Sequence, residues 1–350
     1  MRALLLTLFL APCARAARPL TPPAPEFPSG AAWLNSKPLP LSLLRGRKAT
    51  VVAFINPTGL DSMRETAVLK RWFDRYALSQ LMIVGVITPR LGFQKDVLWL
   101  RAELKRQGVE FPVVVDSDRA LWRAYGADGW PALFLLDRRG RIVFDQLGTD
   151  GNAEFEHELR AALSELVSRD DLPAPVLARA AQAPHDCGFA GPDIDFGSQS
   201  KTTVAELPSG MPRFDQIIND SRLGEVRTRG RWVRTADGLE LAQGNGSVHA
   251  YLRVVARAPR TLAVLAPPTG RAARFFVKRD DQWLSPDAAG SDVRFDDDGR
   301  SFVPVSSARL YDLVRDSADR LREIYILPDA RAAAVDGLQF ADACAAADLP

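Results

Sequence analysis

Thr50-Val-Val-Ala-Phe-Ile55 runs into Asn56-Pro-Thr58-Gly59-Leu60-Asp61-Ser62 and then into Met63, Val68, Leu69, Trp72, Phe73 and Tyr76. A β-branched run, a turn and apolar residues at helical spacing describe a strand that leads straight into a helix packed upon it. Leu81-Met-Ile-Val-Gly-Val-Ile87 supplies a second buried strand, which makes the unit βαβ. A helix through Leu98 and Leu104 follows, then Phe111-Pro-Val-Val-Val115 and a short helix around Leu121-Trp122. Ala132 to Leu136 and Arg141 to Asp145, joined by the turn Asp137-Arg-Arg-Gly140, read as a hairpin. An amphipathic helix from about Glu154 to Val167 closes an α/β unit over residues 28–169.

A Pro- and Ala-rich stretch over 170–190 reads as a linker. Beyond it the pattern changes to short β-type segments separated by turn residues: Arg231–Arg234, Leu239–Leu241, Ser247–Val255, Thr261–Leu265, Arg274–Lys278, Val293–Phe295, Phe302–Val305, Leu321–Leu327 and Val335–Phe340. Even spacing of this kind predicts an all-β sandwich over 191–345, jelly-roll-like in character. The fold class is therefore α/β followed by all-β.

The 350 residues carry 45 Lys+Arg against 43 Asp+Glu, a net charge of +2, and Arg2 and Arg15 lie in a segment expected to be removed. A chain near neutrality lacks the basic surface that nucleic acid or an anionic membrane requires. Met1-Arg2, the Leu/Ala/Phe run from Ala3 and the small residues at Ala14-Arg15-Ala16 form the three parts of a secretory signal, with cleavage expected after Ala16. No later apolar run is long enough to span a bilayer. The expectation is an exported protein, periplasmic or secreted. A lipid anchor on Cys13 is disfavoured because Pro12 stands where a lipobox wants a small residue.

With Cys13 removed, Cys187 and Cys344 remain as one pair in an oxidising compartment. Joined, they would close a long loop, worth about 5 kcal/mol at most on the chain-entropy account. The alternative is a reactive thiol at Cys187 beside His185 and Asp186, although residues this close in sequence seldom align for proton transfer.

Several motifs in order carry a resemblance: Trp33-Leu-Asn-Ser-Lys-Pro-Leu39, the strand to Ile55, Leu69-Lys-Arg-Trp72-Phe-Asp-Arg-Tyr76, Val84-Gly-Val-Ile-Thr88-Pro89, Phe93-Gln-Lys95-Asp96, Leu121-Trp-Arg-Ala-Tyr-Gly126 and Trp130-Pro131-Ala132. Over about residues 30–168 the chain resembles the thioredoxin-like (TlpA-like, redoxin-family) domain of DipZ-type periplasmic thiol-disulfide proteins, and is similar to the thioredoxin domains of NHL-repeat proteins. Arg309-Leu-Tyr-Asp-Leu-Val314 and Glu323–Phe340 resemble the β-sandwich that follows that domain, which is similar to carbohydrate-binding modules.

The resemblance implies a Cys-X-X-Cys opening the first helix. Here Gly59 and Ser62 occupy those two positions, and no cysteine lies between Ala14 and Asp186. Disulfide exchange needs a thiolate to attack sulfur and a second thiol to resolve the mixed disulfide, so this degenerate site is expected to be redox-inert. Thr58 with Asp61, and Ser62 with Glu65, are candidate capping pairs for the helix that follows. Exposed N–H groups there could instead bind an anion or a backbone carbonyl. Trp130-Pro131 fits the position where this fold keeps a cis-proline, beside which an extended peptide can pair.

Thr58, Asp61, Trp130 and Pro131 are thus the candidate peptide-binding residues. The expected partner is an extended peptide or a periplasmic protein, with a glycan as a further ligand class for the sandwich, where Trp232 or Trp283 could stack on a sugar ring. The opposing expectation is a thiol-disulfide oxidoreductase working through Cys187 and Cys344. Nothing implies a cofactor or a metal: His157, His185 and His249 show no ligand spacing, and Asp296-Asp-Asp-Gly299 reads as a hairpin turn.

Overall fold

The computed structural model describes residues 22–177, 189–206, 222–242, 250–317 and 320–344. The α/β half runs β1 (Ala32–Leu34), α1 (Leu41–Leu44), β2 (Ala49–Phe54), α2 (Leu60–Tyr76), β3 (Leu81–Ile87), α3 (Val97–Arg106), β4 (Val113–Val115), α4 (Ala120–Tyr125), β5 (Ala132–Leu136), β6 (Ile142–Leu147) and α5 (Asn152–Leu163). Its sheet has the order β1-β4-β3-β2-β5-β6. Strands β2, β3 and β4 are parallel, as a βαβ crossover requires, and the β5–β6 hairpin and β1 are antiparallel additions.

Every residue of β2 is buried, because both faces of the sheet are covered. Val51 and Ala53 point into the core made with Leu69, Trp72 and Tyr76 of α2, Leu100 and Leu104 of α3, and Phe155 and Leu159 of α5. Val52 and Phe54 point the other way, onto Leu41, Leu44, Leu121 and Tyr125. The period-two alternation thus assigns α2, α3 and α5 to one face and α1 and α4 to the other.

The second half contributes β7 (Ile194–Asp195), β8 (Val204–Glu206), β9 (Val226–Arg229), β10 (Trp232–Arg234), β11 (Leu239–Leu241), β12 (Tyr251–Ala256), β13 (Arg260–Ala266), β14 (Ala273–Arg279) and β15 (Gln282–Trp283). It continues with β16 (Arg294–Phe295), β17 (Ser301–Val305), β18 (Arg309–Arg315), β19 (Arg322–Pro328) and β20 (Ala334–Ala341). One sheet has the order β10-β11-β20-β13-β18 with β7 on β20; the other has the order β16-β17-β14-β19-β12-β9-β8 with β15 on β14. Leu252, Val254, Ala263, Leu265, Phe275, Val277, Tyr311, Ile324, Ile326, Val335 and Leu338 fill the space between them, which is the packing of a sandwich.

Beyond short elements such as β7, β8 and β9, which the sequence reading does not mark, several features depart from it. Strand β18 is not among the β-type segments read from the sequence; within it the Asp312 carboxylate is buried against Arg260 of the neighbouring β13. The Pro-rich segment after α5 is fastened to the α/β half as far as it is described: the amides of Val176 and Leu177 donate to the Glu156 carboxylate at 2.6 and 2.7 Å. Neither expected capping pair forms at the start of α2, whose N-cap is Gly59 with no side-chain cap hydrogen bond. Asp296–Gly299 is the turn joining β16 to β17, with Asp296 Oδ1 accepting from the amides of Asp298 and Arg300.

Candidate functional site

The turn between β2 and α2 holds Gly59 and Ser62, the two positions at which the resemblance implies a Cys-X-X-Cys. Asn56 organises it: Oδ1 accepts from Thr58 N–H (3.2 Å), Thr58 Oγ1 (3.1 Å) and Gln94 Nε2 (2.9 Å), and the Asn56 amide donates to Ser62 Oγ (3.0 Å). Gln94, fully buried, also donates to Thr58 Oγ1 (2.9 Å), while its Oε1 accepts from Arg90 and Leu91 amides. The Thr58 hydroxyl is therefore committed to a buried side-chain network, which is the physical reason it does not cap α2.

Gly59 and Ser62 sit at this helix start as expected. Gly59 has an ordinary extended backbone (φ −98°, ψ 129°), so its identity is not a conformational requirement. Ser62 is 2 % exposed and its Oγ accepts the Asn56 amide, an anchoring role for the turn. Asp61 is exposed and pairs with Arg64 at 3.5 Å. One turn further along α2, Glu65 is buried with Oε2 bonded by Asn152 Nδ2 (2.9 Å) and Oε1 without a partner. Burial pushes its carboxyl up to about 7, only partly opposed by the Asn152 hydrogen bond and the Arg64 charge. Sequence reading assigned Glu65 to a cap; its position three residues after Ser62 on the inner face of α2 was the available signal.

The Trp130–Pro131 peptide is cis. The β2–β5 register pairs Phe54 with Ala132, which brings Pro131 to the same end of the sheet as the Asn56–Ser62 turn. Pro131 carbonyl already accepts from the Gly148 amide (2.9 Å), and the Trp130 ring lies against Trp122, with centroids 4.3 Å apart.

The turn does not face solvent. Gln339 of β20 donates from Nε2 to Thr58 carbonyl (2.8 Å) and accepts at Oε1 from Leu60 N–H (2.6 Å). Around it Leu60 and Leu91 pack with Leu262, Val264, Leu310 and Ala341, with Met63 and Phe93 at the margin. Arg90 pairs with Asp195 at 2.5 Å, the Gly92 amide donates to Asp237 Oδ2 at 2.8 Å, and Trp99 Nε1 donates to Ala308 carbonyl at 2.9 Å. Thr58 is 0 % exposed. The free helix-terminal N–H anticipated from the sequence is thus taken by a carboxamide of the second half, a contact between residues 279 positions apart.

Cys344 is disulfide-bonded. Cys187, with His185 and Asp186, lies outside the described residues, as do Cys13, the whole of residues 1–16 and His249. Trp232 donates its indole N–H to Arg229 carbonyl (3.1 Å), and the Lys278 ammonium sits 4.7 Å from the Trp283 ring centroid. Among the described residues no group of three or more His, Cys, Asp or Glu could hold a metal, and no helix is long and apolar enough to cross a membrane.

No family model matches the chain. Protein DipZ of Mycobacterium tuberculosis is 26 % identical over 238 residues, covering 63 % of this chain and 33 % of that protein. The chain thus spans about a third of the length of that relative. The thiol-disulfide oxidoreductase YkuV of Bacillus subtilis is 27 % identical over 146 residues, 42 % of this chain and 97 % of YkuV. A solved solution structure, of a thioredoxin-like protein in the oxidised form, aligns over 43 % of this chain and all of its own at 27 % identity, with a TM-score of 0.39. With the strand order and the similarity to DipZ and YkuV together, the first half of the chain is a thioredoxin-like domain, and it is followed by a β-rich sandwich region.

Proposed function

We propose that this is an exported, non-catalytic module. Its thioredoxin-like domain binds and orients an extended peptide segment or a protein partner and does not exchange disulfides. The carrying observation is the β2–α2 turn itself. Gly59 and Ser62 stand where a Cys-X-X-Cys would act, and the hydroxyl of Ser62 holds the Asn56 amide. A serine hydroxyl remains protonated near neutrality, and a glycine offers no nucleophile, so neither step of exchange can run there. What the turn offers is recognition chemistry: a main-chain carbonyl and N–H, here taken up by Gln339 and flanked by Leu60, Met63, Leu91 and Phe93.

The competing reading is a thiol-disulfide oxidoreductase of the cell envelope that cycles Cys344 with Cys187; the bonded state of Cys344 is the observation behind it. Reduction of insulin disulfides by dithiothreitol separates the two. Full-length protein and Cys344→Ser should both leave the uncatalysed rate unchanged. Catalysis by the parent that Cys344→Ser abolishes would replace the first reading by the second. Intact mass of the exported chain, with thiols alkylated before and after reduction, checks the remaining elements: a start at Ala17 and no label until reduction are expected, whereas two labels before reduction would contradict a Cys187–Cys344 bridge.

A further inference from the structure

The seam between the two halves converges on one side chain. Gln339 is 8 % exposed, and its carboxamide makes two hydrogen bonds to one short piece of main chain, Thr58 carbonyl and Leu60 N–H. A carboxamide is a peptide group in miniature, with a carbonyl acceptor and an N–H donor in one plane. It therefore offers the turn the same acceptor and donor that one residue of an extended chain would offer when adding to an open edge. The neighbouring side chains add to the likeness: Leu262, the register partner of Gln339 on β13, and beyond it Val264 and Leu310, pack bulky apolar groups with Leu60 and Leu91. Thr58 carbonyl and Leu60 N–H, both buried, need a partner of this kind, since a buried main-chain group left unpaired is costly.

We propose that the β-rich half holds the Thr58–Leu60 turn closed in cis, Gln339 occupying the main-chain position of an extended peptide with bulky apolar side chains, which binds only when this contact opens. The inference rests on the reading of the turn as a recognition site and adds its regulation. Because the apparent affinity of a site falls by the fraction of molecules in which it is open, the docked chain binds weakly and an undocked one tightly. Release acts through the seam: whatever weakens the Leu60, Leu91, Leu262, Val264 contact uncovers the site.

The test uses full-length protein and a fluorescein-labelled, carboxymethylated insulin B chain, an extended apolar probe with neither thiol nor disulfide. Anisotropy titration of the parent, Gln339→Ala and Gln339→Glu gives affinities, and hydrogen exchange of the 57–62 segment locates the binding. In Gln339→Glu the carboxylate can still accept from Leu60 N–H but opposes Thr58 carbonyl. Both variants should bind the probe at least ten-fold more tightly than the parent. In both, the Leu60 amide should exchange faster and become protected again when the probe is added. Unchanged affinity in both variants, or tighter binding without renewed protection at Leu60, overturns the proposal. The probe cannot undergo exchange, so this result is independent of the insulin-reduction assay: the gate can fail in a redox-inert protein, and inertness can fail with the gate intact.

Discussion

Replacing Val264 by Asp should separate the two halves while leaving each folded. Val264 is fully buried on β13, and the alternation of that strand decides what its side chain touches. Ala263 and Leu265 point into the sandwich core, whereas Leu262 and Val264 point out of it, onto Leu60 and Leu91 of the thioredoxin-like domain. Six buried apolar residues meet in that contact. Burying a Val or Leu side chain is worth about 1.5–3 kcal/mol, and each such residue is shared between its own domain and the seam. With about 1 kcal/mol for each Gln339 hydrogen bond, the seam amounts to roughly 5–10 kcal/mol.

An ionised carboxylate at position 264 removes about 2 kcal/mol of that burial, and leaving a charge unpaired among leucines costs several kcal/mol more. The sum is of the order of the whole seam. Undocking relieves it, because the outward face of β13 then meets water and the sandwich core is untouched. Urea unfolding followed by tryptophan fluorescence, with hydrodynamic radius measured alongside, reads the outcome. The parent should unfold in one transition; the variant should be larger before unfolding and should show two transitions, the first at lower urea. A variant with the parent's radius and a single transition at the parent's midpoint would refute the placement of Val264 in a domain seam.

Asp312→Ala strips Arg260 of a carboxylate that also accepts the Ser291 amide at 2.6 Å, and breaking a buried pair in this way should cost about 3–5 kcal/mol in urea unfolding. Stability should rise as pH falls from 8 towards 5. Burial pushes the carboxyls of Glu65 and Asp336 up to about 7 and that of Asp193 up to about 6, so between their unfolded values and these the native state binds more protons than the unfolded one. Melting temperature against pH checks this, and Glu65→Gln should flatten the slope between pH 5 and 7. In Gly59→Cys/Ser62→Cys the new Cβ at 59 would lie 3.3 Å from Asn56 Nδ2, so the Asn56 side chain must give by a few tenths of an ångström and the variant should fold with reduced stability; insulin reduction should stay near background until Val264→Asp is added to uncover the pair.

The strand and helix pattern of the first half was legible because its signals are local: a β-branched run, a 3.6-residue apolar period, a Trp-Pro at a strand start. Gly59 and Ser62 were placed at the start of α2 for the same reason, being two positions in one turn. Local reading failed where a polar side chain has a distant partner. Thr58 reads as a helix cap, but Asn56 and Gln94 claim its hydroxyl; Asp312 sits within an apolar strand because Arg260 of β13 neutralises it. Gln339 carried no signal at all, since its partners lie on the far side of the chain. One clue to the seam was present: Thr261–Leu265 is apolar on both faces, and a sandwich strand that should face water on one side but does not must be covered by something. The cover is the thioredoxin-like domain, through Leu60 and Leu91.

The most direct measurement is hydrogen exchange of the 58–62 amides in the full-length parent. A turn whose Leu60 N–H is bonded to Gln339 and sealed by the seam should exchange about as slowly as the central strand Ala49–Phe54, and Val264→Asp should release it. Exchange in the parent as fast as that of an exposed loop would mean that the turn is open to solvent, and the account of a thioredoxin-like site occupied by its own second domain would be wrong.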